Sequence, residues 1–283
     1  MSSLIIRRSA DRLVKCASFL ATLIGVFFLC WILYTVISIG GKSLSWEFFT
    51  NPTKPYGIPN GGVLNALVGT LAITLGATLI GLPLGLLAGI YLSEFGRSSK
   101  LSNFIRFTSN VMMGLPSIII GLFVYSLFVV NLGHFSGFAG SIALAIIMFP
   151  VITRTTEDML NMVPNALRES ALALGMPRWR ATLDIIFRAA KGGLVTGVLL
   201  SIARVSGETA PLLFTALWSD NWPSIGSFFS QPTANLTVTI TEYATNSPFQ
   251  EIQNRAWGAA LIITISILVL NVLTRFIFRE QNK

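Results

Sequence analysis

Four stretches of this chain contain no Asp, Glu, Lys or Arg: Cys16 to Gly41, Pro55 to Ser93, Phe107 to Thr153 and Ala256 to Thr274. A helix needs about 20 mostly apolar residues to cross the hydrocarbon core of a bilayer, and it satisfies its backbone polar groups internally, so runs of this length commit the chain to membrane-spanning helices. The first, second and last runs hold one span each. The third is too long for one and is interrupted at "NLGHFSGFAG", which reads as a tight turn between two. The segment from Gly192 to Trp218 supplies another, with Arg204 and Glu208 near its centre. The expectation is an all-α integral membrane protein with six transmembrane helices, near 17–39, 64–92, 109–131, 137–153, 193–218 and 256–274. Composition agrees: 11% of residues are charged, against about 25% in a soluble domain.

Basic residues in alternate connections set the orientation. With a cytoplasmic amino terminus, the inner side holds Arg7, Arg8, Arg12, Lys15, Arg97, Lys100, Arg106, Arg154, Arg168, Arg178, Arg180, Arg188, Lys191, Arg275, Arg279 and Lys283. The outer side keeps Lys42, Lys54 and Arg255. Both termini are therefore expected in the cytoplasm. The net charge of +8 follows from this asymmetry and argues against nucleic acid as a partner. The first apolar run exceeds the 7 to 15 residues of a signal peptide and reads as a retained anchor. Cys16 and Cys30, within or beside it, read as packing residues.

In the second span Gly81, Gly85 and Gly89 recur every four residues, a stripe that allows close helix contact, and Pro83 marks an expected kink. Pro116 is expected to bend the third span. "GGKS" at 40–43 is rejected as a phosphate-binding loop, because Val36 stands where a glycine is needed and no strand precedes it. His134, the single histidine, falls in a turn, so neither a catalytic triad nor a metal cluster is expected. No catalytic residue and no cofactor is assigned to the chain.

The inner segment 154–191 is different in kind. Pro164 suits a first helical turn, Leu167, Ala171 and Leu174 share a face at helical spacing, and Gly175 followed by Pro177 reads as a stop. Two short helices joined by a glycine turn are expected at the inner surface, with an apolar face that needs either a protein partner or lipid headgroups. "ESALALG" resembles the EAA loop of ABC importer permeases: Glu169, Ser170 and Ala171 open the motif and Gly175 falls at its spacing. Ile185, Ile186, Phe187 and Arg188 occupy the terminal block, with Phe and Arg where the family has Leu and Pro. The resemblance implies a coupling helix, carried by Glu169, Ala171, Gly175, Leu167 and Leu174, that docks on a separate ATPase subunit.

"ARVSGETAPLLF" at 203–214 places Arg204 and Glu208 four residues apart in an apolar run. A charged side chain at the centre of a membrane helix costs about 2.5 to 3.5 kcal/mol on insertion scales, so the pair needs a reason. In one continuous helix the two share a face and pair, and Ser201 and Thr215 extend a polar stripe beside Pro211. One reading is a self-neutralised pair that fixes packing. The other is an anion site: the guanidinium fork matches a tetrahedral oxyanion, and the carboxylate orients it or accepts a hydrogen bond from a protonated oxyanion such as hydrogen phosphate. On that reading Arg204, Glu208 and Ser201 are the substrate-binding candidates.

This segment, with "GLPSIIIGL" and "PLGLLAGIYLSEFG" earlier, resembles the PstA family of permeases from bacterial phosphate ABC transporters, over about residues 60 to 280. The resemblance implies a type I ABC importer permease (MetI-like) fold and a bacterial inner-membrane location. It implies a role for Arg204 in phosphate translocation, with a PstC-type permease, two PstB-type ATPases and a PstS-type periplasmic binding protein as partners. Residues 1–63 would be the amino-terminal segment, first helix and outer loop, and 64–283 the permease core. The outer segment 219–255 is long enough to contact the binding protein and serves equally as a lid or spacer. Rival readings are a permease for another oxyanion, a gradient-driven secondary anion transporter and a non-transporting membrane scaffold.

Overall fold

The computed structural model describes residues 2–55, 58, 61–96 and 99–279, so Arg97 and Lys283 of the inner-side set lie outside the described residues. Among the described residues five helices are long and apolar enough to cross a membrane, and a bent helix pair makes a sixth if counted as one span. α1 (Ser2–Gly40) stands largely apart, with 6% of its apolar window buried. It packs chiefly on the last helix, where a Cβ on Gly40 would lie 2.5 Å from the Trp257 carbonyl oxygen. The short α2 (Trp46–Thr50), capped by Ser45, buries Phe48 in a small core with Val63, Ala66, Leu236 and Ala259.

The centre is α3 (Leu64–Ile90) against α7 (Gly137–Asn161). Between helices in lipid there is little hydrophobic driving force, so association rests on van der Waals fit and close backbone approach. The glycine stripe supplies that approach. A Cβ on Gly81 would meet the Ala145 carbonyl oxygen at 3.1 Å, one on Gly85 the Ile152 Cβ at 2.8 Å, and one on Gly89 the Thr156 Cβ at 2.5 Å. Ile73 and Ala77 of α3 and Leu144, Met148 and Ile152 of α7 form the main core. α3 continues as helix past Pro83 and ends in a single π turn, Tyr91–Phe95.

The third span departs from expectation. α4 (Lys100–Gly114) meets α5 (Ser117–Val124) at a bend, and α5 continues through a π turn, Tyr125–Val129, into α6 (Val130–Leu132). The two arms differ in direction by 105°, far more than a bent span. The cause is local: a proline ring disfavours helical backbone in the residue before it, and Leu115 is extended at ψ 136° with Pro116 at ψ 134°. Residues 109–114 therefore belong to α4, across the bend from 117–132. The turn before α7 is as expected, with Gly133 at φ +76° and Ser136 accepting a hydrogen bond from the Ala139 amide at 3.1 Å.

α7 extends to Asn161, so the inner segment begins on the end of a long helix. Only α8 (Asn165–Ala173) is a separate short helix. The turn that starts at Pro177, α9 (Arg178–Ala181), runs through a π turn, Thr182–Ile186, into α10 (Phe187–Ser206) as one 29-residue helix. The expected pair of short helices is thus one short helix and the start of the fifth span. Beyond α10 come α11 (Ala210–Thr215), α12 (Ile225–Ser230), α13 (Leu236–Thr245) and α14 (Gln250–Arg279). Residues 219–255, expected as a loop, instead bury Leu236, Thr237, Val238 and Thr239 of α13 against α14 and α3. Thr70 of α3 takes the Leu236 amide at 2.8 Å, and Asn235 caps Val238 while donating to Leu217 O at 3.1 Å. At the same end Asn65 of α3 accepts from the Thr53 amide and donates to the carbonyls of Asp220 and Asn221.

Gly85→Leu places bulk where Ile152 already stands 2.8 Å from a Cβ and should destabilise the fold by about 1–3 kcal/mol. Thermal unfolding in detergent should show a lower midpoint, whereas Leu79→Ala, at a position 77% exposed, should leave it unchanged.

Candidate functional site

α10 ends three residues short of Thr209. The Gly207 amide closes on Arg204 O at 3.2 Å and the Glu208 amide on Val205 O at 3.2 Å. The chain then restarts as α11 with Pro211 in its first turn. The expectation of one continuous helix with Arg204 and Glu208 paired on a single face is therefore corrected. Among the described residues no ion pair within 4.0 Å joins them. The polar stripe is absent too. Ser201 is buried and donates to Gly197 O at 2.9 Å, and Thr215 is buried and donates to Pro211 O at 2.8 Å, so both hydroxyls are occupied within their own helices.

Arg204 is exposed, while its neighbours Ala203 and Val205 are buried, so its side chain leaves the core on the opposite side from the main packing face. It sits in the last turn of α10, where the helix dipole favours a cation. Glu208 is half-buried in the break, and its carbonyl accepts from Thr237 Oγ1 of α13 at 2.9 Å. That bond holds the interrupted backbone with a group from another element, as interrupted backbone at membrane depth requires. Among the described residues neither side chain joins an ion pair: the guanidinium is exposed in the last turn of α10 and the carboxylate belongs to a half-buried residue of the break.

At the opposite end of α3, α8 stands out from the bundle. Its carboxyl end is a Schellman turn: Met176 N bonds to Ala171 O at 3.1 Å and Gly175 N to Leu172 O at 2.9 Å, with Gly175 at φ +79°. Ala171 is buried, whereas Leu167, one turn earlier on the same side of α8, is exposed, and Leu174, also exposed, lies past the helix end, where the turn reverses the chain. Leu172, Trp179 and Met162 are also exposed, and Glu169 points to solvent. An apolar surface of this kind, rimmed by charge, marks a contact with another protein or with lipid.

Buried charge at this end escaped the sequence reading. Arg168 and Glu94 form an ion pair at 2.8 Å with side chains 11% and 8% exposed. Arg106 bonds Glu157 at 2.7 Å, with Glu157 5% exposed. For two of the four the signal was position: Glu94 and Arg106 directly adjoin the uncharged runs that hold α3 and α7. Among the described residues no group of three His, Cys, Asp or Glu is arranged to hold a metal ion.

Residues 81–282 match the family described as binding-protein-dependent transport system inner membrane component. Proteins named phosphate transport system permease protein PstA are similar over nearly the whole chain. That of Pasteurella multocida is 49% identical over 278 residues, 98% of this chain and 97% of that protein. That of Haemophilus influenzae is 49% identical, covering 97% and 96%, and PstA 1 of Mycobacterium tuberculosis is 37% identical, covering 98% and 91%. The chain belongs to this family, as a PstA-type permease. The fold is shared with an inward-facing structure of the MetNI methionine ABC transporter, at TM-score 0.60 and 19% identity over 77% of this chain and 94% of that one. A permease of this family is a multi-pass membrane subunit that associates with an ATPase and a binding protein, and it is not itself the ATPase.

Gly175→Val would force a branched side chain into left-handed backbone, a cost of about 1–2 kcal/mol, at a site with open space around the missing Cβ. Hydrogen exchange should therefore quicken at the amides of Gly175 and Met176, with α3 and α7 unaffected.

Proposed function

We infer that this PstA-type permease forms part of an ATP-driven importer that moves inorganic phosphate into the cytoplasm, and that Arg204 lies in the translocation path. The observation that carries the reading is the exposed guanidinium at the interruption between α10 and α11, unpaired with Glu208 and facing away from the core. A buried ion pair used for packing alone gains little over apolar side chains, and here the pair is not made. A guanidinium offers a planar fork suited to phosphate oxygens. Glu208, with its carboxylate unpaired by Arg204, is available to accept the proton-bearing oxygen of hydrogen phosphate, a contact that fully ionised sulfate cannot make. Ser201, buried and bonded to Gly197 O within α10, is not among the groups that touch substrate on this reading.

The near full-length similarity to PstA proteins supports the finer assembly: a PstC-type permease lining the other half of the path, two PstB-type ATPases, and a PstS-type periplasmic binding protein. The distribution of Lys and Arg supports cytoplasmic termini in a bacterial inner membrane. α8 then faces the cytoplasm, with Glu169, Leu167 and Leu174 on its docking surface, Ala171 anchoring it to the permease and Gly175 setting its end. Residues 1–63 act as an appended anchor and 64–283 as the permease core, in keeping with the sparse contacts of α1.

The test is reconstitution with the partner subunits in proteoliposomes, measuring ATP-dependent uptake of labelled phosphate against labelled sulfate. Phosphate should accumulate and sulfate should not. Arg204→Ala should lower uptake to the level without ATP while the complex still co-purifies, and normal transport by that variant would remove Arg204 from the path.

A further inference from the structure

The π turn Tyr91–Phe95 at the end of α3 is a junction of four elements. Leu92 O accepts from Arg106 Nη2 of α4 at 3.2 Å. Ser93, wholly buried, donates to Asn161 Oδ1 of α7 at 3.0 Å and to Glu94 Oε1 at 3.1 Å. Glu94 receives Arg168 of α8 through Nε at 3.1 Å and Nη2 at 2.8 Å. Arg168 also donates to the carbonyls of Leu160, in the last turn of α7, and Val163, just past it, and to Asn165 Oδ1. The guanidinium is thus fully engaged, and it ties α8 both to α3 and to the helix packed against α3.

A π turn adds one residue to a helical turn and so re-aims the side chains that follow it. Gly96 N closing on Tyr91 O at 2.8 Å is the bond that fixes it here. The extra residue turns Glu94 toward α8. α8 itself has little other purchase on the bundle, since among its residues only Ala171 is buried. Apolar packing alone would let so small a helix shift without moving α3. α3 in turn packs on α10, and Ile73 and Ala77 of α3 belong to the same core cluster as Val205, the neighbour of Arg204.

We propose that Glu94 and Arg168 are positioning residues: a stiff ionic strut that carries displacement of α8 into α3, and through the glycine-packed α3 and α7 pair toward the α10 interruption. The proposal rests on the reading of α8 as the ATPase-docking helix. A buried ion pair is seldom more stabilising than apolar residues of similar size, so a structural role predicts that apolar replacement of both partners preserves function, whereas a strut predicts that it does not. The pair touches no substrate. Its removal should lower the amount of phosphate moved per ATP hydrolysed, rather than the affinity for phosphate.

The experiment uses the complete complex in proteoliposomes, with hydrolysis and uptake measured on the same vesicles. Glu94→Gln should leave ATP hydrolysis within about twofold of the unmodified complex and reduce phosphate per ATP about tenfold. The double variant Glu94→Leu with Arg168→Met should unfold at or above the unmodified midpoint and still be uncoupled, and Arg168→Lys should recover part of the ratio. A well-folded double variant with a normal ratio would overturn the strut and leave a structural pair. Leu174→Glu, on the exposed surface of the α8 turn, separates the two readings. If it releases the ATPase while Glu94→Gln transports normally, the strut alone is wrong; if it leaves ATPase binding unchanged, the docking reading fails and the strut with it.

Discussion

Close approach of α3 and α7 is the constraint on which the other features depend. Lipid offers helices no gain from hiding apolar surface in each other, so a stable pair must come near enough for backbone atoms to touch. Gly81, Gly85 and Gly89 permit that contact along one side of α3, and Gly69 extends it to Ala234 before α13. With the pair fixed, its two ends become defined platforms. Asn65 at one end organises the strands of chain around Thr53, Asp220 and Asn221. At the other end, Glu94 and Glu157 organise the arginines of α8 and α4.

Charge in this chain follows a division of labour. The buried carboxylates at the α8 end are each met by an arginine, Glu94 by Arg168 and Glu157 by Arg106, which is how low-dielectric surroundings tolerate ions. Arg204 is treated otherwise. Among the described residues no carboxylate pairs with it; it lies beside an interruption whose backbone is held by Thr237, and it is exposed. The two buried pairs connect helices, whereas Arg204 makes no such connection among the described residues.

Much of this was legible in the sequence. Uncharged runs gave the number of spans, the glycine repeat gave the α3 packing face, and Gly175 gave the end of α8, because each signal is local and has one physical meaning. The failures came where local signals compete. An apolar stretch from Gly192 to Trp218 reads as one helix by hydropathy, and the interruption at Gly207 is stabilised by α13, more than 25 residues later in sequence and invisible to periodicity. The sharp angle at Leu115–Pro116 was foreseen in kind but not in size, since a proline sets backbone preference and packing of α5 against α11 sets the direction. The α13 segment read as loop because its threonines and Asn235 are polar, yet they are buried and bonded to backbone. The Glu94–Arg168 pair joins residues 74 apart and could not be read from spacing.

The central claim is that the side chain at position 204 faces a solvated path in the assembled transporter. It is tested most directly by Arg204→Cys in a background lacking Cys16 and Cys30, probed with a small, charged, water-soluble thiol reagent in the complete complex, with and without trapped ATP. Labelling is expected in at least one of these states. A thiol that remains unreactive in every state would contradict it.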